Sequence, residues 1–219
     1  MVAKCLLNLV TILVAWTSVG QVQVPVVMAQ PSTTPVTIVF MGDSITEAWA
    51  KAHPSFFTPN RLDRGISGQT TSQMLARFQS DVIDVRPAAV HILAGTNDIA
   101  GNGGPTTLAA IEGNIQSMSE LAKSHHIKVV LGTVLPTTQY PWRPEIRPVP
   151  QILALNSWIR AYARENGFCL ADYYLALNNG MDGLSKEDSD DGVHPTPFGY
   201  DKMERVALPA IECALNHRA

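Results

Sequence analysis

VTIVFM at residues 36–41, closed by Gly42 and followed by Asp43-Ser44-Ile45-Thr46, is the stretch that sets the fold class. A short apolar, β-branched run ended by a glycine reads as a buried strand. It shows no polar alternation, so both of its faces need cover. A parallel sheet with helices on each side provides that cover. Helical signals follow almost at once, through Thr46 to Lys51.

Downstream the alternation repeats. Residues 62–66 read as a weaker second strand that ends in a Gly/Ser/Gln/Thr turn. Residues 71–85 place Met74, Leu75, Phe78 and Val82 at helical spacing. A third strand at 88–94 (AAVHILA) is ended by Gly95, and a helix at 106–124 lines up Leu108, Ile111, Ile115 and Met118. A fourth strand follows at 127–134, then a helix at 149–166 stopped by Gly167. A short fifth strand at 168–172 and a last helix at 197–215 complete the chain. Strands separated by helices build βαβ units, hence an α/β fold with a parallel sheet covered on both faces. In such sheets ligands bind beyond the carboxyl ends of the strands.

Upstream, residues 1–29 read as a secretory signal. Lys4 supplies a positive start, 5–16 an apolar stretch, and Ala29 a small residue suited to cleavage before Gln30. Thr17, Ser18, Gly20 and Gln21 interrupt the run short of the roughly 20 apolar residues of a spanning helix. The expectation is export to the periplasm or the outside, with residues 30–219 as a single domain. Cys5 would leave with the signal. Cys169 and Cys213 then form an even pair in a compartment that permits disulfides, and a bridge or two packed thiols both fit.

The chain has 219 residues, 46% hydrophobic and 16% charged, with a net charge of −3. That length buries a core without staples. Three cysteines are too few for a disulfide scaffold. With no Lys/Arg cluster, a nucleic-acid partner is excluded. No HExxH or CxxC supports a metal.

Chemistry-bearing residues gather at the strand ends. Ser44 lies just past strand one and can present a hydroxyl to the crevice beside the N–H groups of a helix start. Its alternative role is an N-cap, since Glu47 three residues on completes a capping box. Gly65 and Gly68, after strand two, allow a tight turn with a backbone N–H aimed at a ligand. Asn97, after strand three, can offer an amide donor or cap a turn. Near the C-terminus Asp191 and His194 stand three residues apart, where a carboxylate can orient an imidazole base. Together these residues supply a nucleophile, a base, its orienter and three oxyanion donors.

This set resembles the SGNH branch of the GDSL esterases and lipases. Its four blocks match as GDSIT at 42–46, RGISGQTT at 64–71, GTND at 95–98 and DGVH at 191–194. The resemblance implies a flavodoxin-like three-layer sandwich with five parallel strands. It implies Ser44 as nucleophile, His194 as base and Asp191 as orienter, with Asp188 and Asp190 as fallback orienters. It assigns the oxyanion hole to Ser44, Gly68 and Asn97, with Gly65 the weaker choice of the two glycines. No metal or organic cofactor is implied. Asp43 and Asp98 are expected to orient loops, and the GNGGP run at 101–105 to be a flexible lead into a helix.

Residues 136–150 hold five prolines along with Tyr140, Trp142 and Arg143. The segment follows strand four and can form an aromatic and basic substrate rim, or simply a long surface loop. The expected partners are small-molecule, carbohydrate or lipid esters, with short acyl groups favoured because no lid is evident. An acyltransferase using the same triad and a non-catalytic binding module are the alternatives.

Overall fold

A computed structural model describes residues 37–216. The signal segment expected at 1–29 lies outside the described residues. Five strands form one all-parallel sheet: β1 (Ile38–Gly42), β2 (Arg61–Gly65), β3 (Ala89–Ile92), β4 (Lys128–Gly132) and β5 (Cys169–Ala171), in the order β2-β1-β3-β4-β5. Between and after them run α1 (Ser44–Ala52), α2 (Thr71–Phe78), α3 (Thr96–Ile99), α4 (Leu108–Ser124), α5 (Val149–Asn166), α6 (Tyr173–Leu177) and α7 (Pro197–Asn216).

The two-residue period of a strand sorts the core into two layers. Val39 and Met41 of β1, with Val90, Ile92, Val129 and Leu131, pack under α2, α4 and α5 through Met74, Phe78, Ile111, Ile115, Ile152 and Leu155. Ile38 and Phe40 point the other way, with Val130 and Ala171, toward α1 and α7. There Trp49 is fully buried, stacked on Phe56 at 5.0 Å and on Tyr200 at 5.8 Å. Truncating such a tryptophan typically costs about 3–5 kcal/mol. The fold is therefore the expected three-layer α/β sandwich.

Two local features differ from the sequence reading, and a third decides between two alternatives it left open. Residues 71–85 are not one α-helix: α2 ends at Phe78 and widens into a π turn over Gln79–Ile83, with Asp84 N–H donating to the Gln79 carbonyl. The turn lets Val82 and Ile83 both reach the core. Helices α3 and α6 were not foreseen, being four and five residues long. Cys169 of β5 and Cys213 of α7 are bridged, with Cα atoms 6.1 Å apart. Because α7 returns across β5 to bury Met203, Ala207 and Ile211, the two elements are brought within bridging distance.

Strand order places the crevice. The chain leaves β1 to one side for β2 and then crosses to the other side for β3, so the direction of winding reverses between β1 and β3. The loops after these strands diverge there and open a cleft at the carboxyl edge.

Candidate active site

Ser44 is the first residue of α1, directly beyond β1. The capping-box alternative does not hold. Asp43 is the N-cap, its Oδ1 accepting from Ile45 N–H at 2.9 Å, while Glu47 turns to Lys51 and to the Ser67 N–H. That leaves the Ser44 hydroxyl to the cleft, where its Oγ lies 3.0 Å from His194 Nε2. His194 Nδ1 donates to Asp191 Oδ2 at 2.7 Å.

Asp191 Oδ1 also accepts from the backbone N–H groups of Val193 and His194, each at 2.8 Å. Partial burial pushes the Asp191 carboxyl up. The His194 ring and the two backbone donors outweigh that and hold it down at about 2. Asp188 and Asp190 do not reach the imidazole. Asp188 is buried against Ser185 Oγ and Lys202 Nζ, and the carbonyl of Asp190 accepts from Lys186.

The two glycines of the second block separate cleanly. A side chain at Gly65 would strike the α1 backbone, 2.2 Å from Glu47 N, so this glycine permits close packing of β2 against α1. Gly68 has φ +77° and open space where a Cβ would sit, so its backbone is turned as an L-residue rarely allows. Two side chains pin the loop that carries it. Arg77 spans from Gln69 Oε1 at 2.6 Å to the Gly42 carbonyl at 3.0 Å, tying the loop to the end of β1. Buried Asp98 accepts from Thr71 Oγ1 at 2.7 Å and from Thr71 N–H at 2.9 Å.

Asn97 is buried on α3, beyond β3. Its Nδ2 donates to Asp43 Oδ2 at 3.1 Å, and its Oδ1 accepts from Asn102 Nδ2. An amide nitrogen carries two hydrogens, so one remains after the bond to Asp43. Burial is the main influence on Asp43 and raises it to about 6. Ile45 N–H, the charge on His194 and the Asn97 amide oppose the rise, and the charge on Asp98 adds to it.

The rim expectation needs correcting at Tyr140. This side chain is fully buried, with its hydroxyl 3.0 Å from Thr96 Oγ1, and burial raises its pKa. It packs against Trp142 and so supports the rim from beneath. Trp142 is 41% exposed, and its ring centroid lies 6.1 Å from that of His194. Arg143 is exposed, donating to the Gly101 carbonyl at 3.3 Å and pairing with Glu145 at 3.6 Å. Sequence reasoning missed Asn102, whose Oδ1 accepts from Trp142 Nε1 at 3.0 Å. The run at 101–105 had suggested only a flexible lead.

Three other places hold polar or hollow features. His53, Asp201 and Glu204 gather at the opposite end of α1 from Ser44, with ligand atoms within 4.8 Å of one another. His53 Nδ1 bonds Glu204 Oε1 at 2.7 Å, and Trp49 Nε1 donates to the same oxygen at 3.3 Å, so the group fastens α7 to α1. His53 is half-buried. His91 is a core residue. It bonds the Tyr173 hydroxyl at 2.8 Å, and burial pushes it down to about 3. A hollow of about 520 Å³ between Lys128, Val129, Phe168 and Cys169 opens at the amino ends of β4 and β5. It lies at the wrong end of the sheet for the motif residues.

The five-stranded parallel sheet of this winding thus collects serine, histidine and asparagine at its carboxyl edge. Residues 40–202 match the GDSL-like Lipase/Acylhydrolase family, and the chain belongs to that family. It is 47% identical to a GDSL-like lipase from Bacteroides thetaiotaomicron, with a TM-score of 0.80 over 86% of this chain and 93% of that one. It is 26% identical over 190 residues to Esterase TesA of Pseudomonas aeruginosa, covering 80% of this chain and 88% of that protein. A 38% identical match to an uncharacterized lipoprotein of Bacillus subtilis spans only 32% of that protein and 34% of this chain. The chain is thus a carboxylic ester hydrolase by family. Among the described residues no helix is long and apolar enough to cross a membrane.

Proposed function

We propose that the protein is an exported serine esterase acting on short-chain or acetyl esters, with Ser44, His194 and Asp191 as its triad. The carrying observation is the hydrogen-bonded series Ser44 Oγ, His194 Nε2, His194 Nδ1, Asp191 Oδ2, at 3.0 and 2.7 Å. His194 takes the Ser44 proton as Oγ attacks the ester carbonyl, and Asp191 keeps the Nδ1–H tautomer and balances the imidazolium. The tetrahedral oxyanion is received by the N–H groups of Ser44 and Gly68 and by Asn97 Nδ2. His194 then returns its proton to the departing alcohol. Water, deprotonated by the same ring, frees the acyl group from Ser44.

Two features support the narrower parts of this reading. The His194 and Asp191 side chains are 34% and 40% exposed, so a soluble ester reaches the triad without a lid moving. The Cys169–Cys213 bridge suits an oxidising compartment, in keeping with export.

The test is direct. Ser44→Ala should lower kcat on p-nitrophenyl acetate by roughly 10⁴-fold or more with an unchanged melting temperature. A fluorophosphonate should label Ser44 in the wild-type protein. Near-wild-type turnover by the variant, or a label elsewhere, overturns the assignment. A p-nitrophenyl series should peak at short acyl chains, and a maximum at long chains would overturn the substrate class.

A further inference from the structure

Trp142 Nε1, Asn102, Asn97 and Asp43 form one continuous line of hydrogen bonds from the protein surface to the base of the cleft. Trp142 Nε1–H donates to Asn102 Oδ1 at 3.0 Å, Asn102 Nδ2 donates to Asn97 Oδ1, and Asn97 Nδ2 donates to Asp43 Oδ2 at 3.1 Å. The chemistry of its two ends fixes its direction. An indole nitrogen can only donate, and an ionised carboxylate can only accept. The two amides between them therefore have one orientation that satisfies every group. In that orientation both Asn97 hydrogens are on the nitrogen beside Asp43, and the second is available to an oxyanion. Asn102 is further fixed by its own backbone N–H, which donates to the Asn97 carbonyl at 3.0 Å.

We infer that Asn102 is a positioning residue which, through the Trp142 indole, holds the Asn97 amide in its donating orientation. The inference rests on the reading of Asn97 as an oxyanion donor. It makes Trp142 a shared part: its ring borders the His194 ring on the rim, and its nitrogen ends the line that sets Asn97. Reversing the Asn102 amide would bring two oxygens face to face at Asn97. Asn97 would then rotate and carry its nitrogen away from Asp43 and from the cleft.

Asn102→Asp and Trp142→Phe test this, singly and together. Asn102→Asp keeps the shape and the acceptor for Trp142 but removes the donor to Asn97. It should lower kcat on p-nitrophenyl acetate roughly ten-fold or more, part of what a lost oxyanion donor removes, with KM little changed. Trp142→Phe keeps the ring and removes the indole N–H. It should lower kcat by less, and should add nothing once Asn102→Asp is present, as residues in one network behave. Trp142 is exposed, so its substitution carries the test even if Asn102→Asp does not fold. Unchanged kcat in Trp142→Phe, or single effects that simply multiply in the double variant, overturns the coupling. Fluorophosphonate labelling of Ser44 in each variant separates the two levels. A labelled Ser44 with unchanged kcat refutes the Asn102 inference alone, whereas activity that survives Ser44→Ala refutes the esterase reading beneath it.

Discussion

Ser44, Gly68 and Asn97 stand where strands β1, β2 and β3 end, whereas Asp191 and His194 stand on a loop that runs through residues 178–196 without a helix or ladder strand of its own. The first group is braced by buried partners: Asp43, Asp98 and Thr71 are each 6% exposed or less. The second is braced by short polar bonds along the loop. Ser189 Oγ donates to the His194 carbonyl at 2.7 Å, Thr196 N–H to the Asp188 carbonyl at 2.8 Å, and Thr137 Oγ1 to the Gly192 carbonyl at 2.7 Å. A sheet positions residues through its register. A loop must position them one hydrogen bond at a time.

Substitution should separate these two modes of support. After Ser44→Ala, the largest effect is expected at Asp191→Asn. Its amide can still serve the backbone donors, but it no longer holds the Nδ1–H tautomer, so kcat should fall about 10³–10⁴-fold with the fold intact. A fall in melting temperature of matching size would instead make Asp191 a loop brace. Next is removal of the bridge by Cys169→Ser with Cys213→Ser. The 44-residue separation gives about 4 kcal/mol of lost stability in the chain-entropy account. Urea unfolding reads this, and kcat below the transition should not change if the polar bonds, and not the bridge, shape the loop. On the sheet side, Asn97→Ala should cost about 10²–10³ in kcat with KM nearly constant. Unchanged kcat would leave Asn97 as a turn residue.

The same contrast explains what could be read in the sequence. Strands β1, β3 and β4 are buried on both faces, and their largely apolar runs announced them. β2 is half-exposed along its whole length at the sheet edge, and its signal was correspondingly weak. Helices of 17 to 20 residues showed their periods, while α3 and α6 are too short to show one. The strand-end motif residues were legible because a site at the carboxyl edge demands polar residues where an apolar run stops. Asn102 was not, because an asparagine between glycines has the composition of any turn. Tyr140 and Trp142 were read together as rim, yet nothing local says which of two aromatics turns inward. That depended on Thr96, 44 residues away, offering the Tyr140 hydroxyl a partner.

Asp43 puts the sharpest question to the buried half of the site, because there stability and orientation pull in opposite directions. Its carboxyl is 1% exposed and raised to about 6, from 3.8 in the absence of the fold. Between those two values the folded protein holds a proton that the unfolded chain has released. The contribution of Asp43 to stability therefore falls as pH rises from about 4 to about 6 and stays lower above that, by about 3 kcal/mol. Asp43→Asn has no proton to lose. Its urea midpoint, compared with wild type across this window, should lack that decline and stand relatively higher at pH 8. Activity should move the other way. With its amide oxygen serving Ile45 N–H, the new NH₂ would face Asn97 Nδ2, donor against donor, and Asn97 would turn its nitrogen out of the cleft. The expected variant is thus more stable at pH 8 but slower, its loss appearing in kcat and not exceeding that of Asn97→Ala. If its pH profile of stability matches wild type, the buried carboxylate is not strained. If its kcat matches wild type, Asp43 does not orient Asn97, and the buried half of the site relies on packing alone.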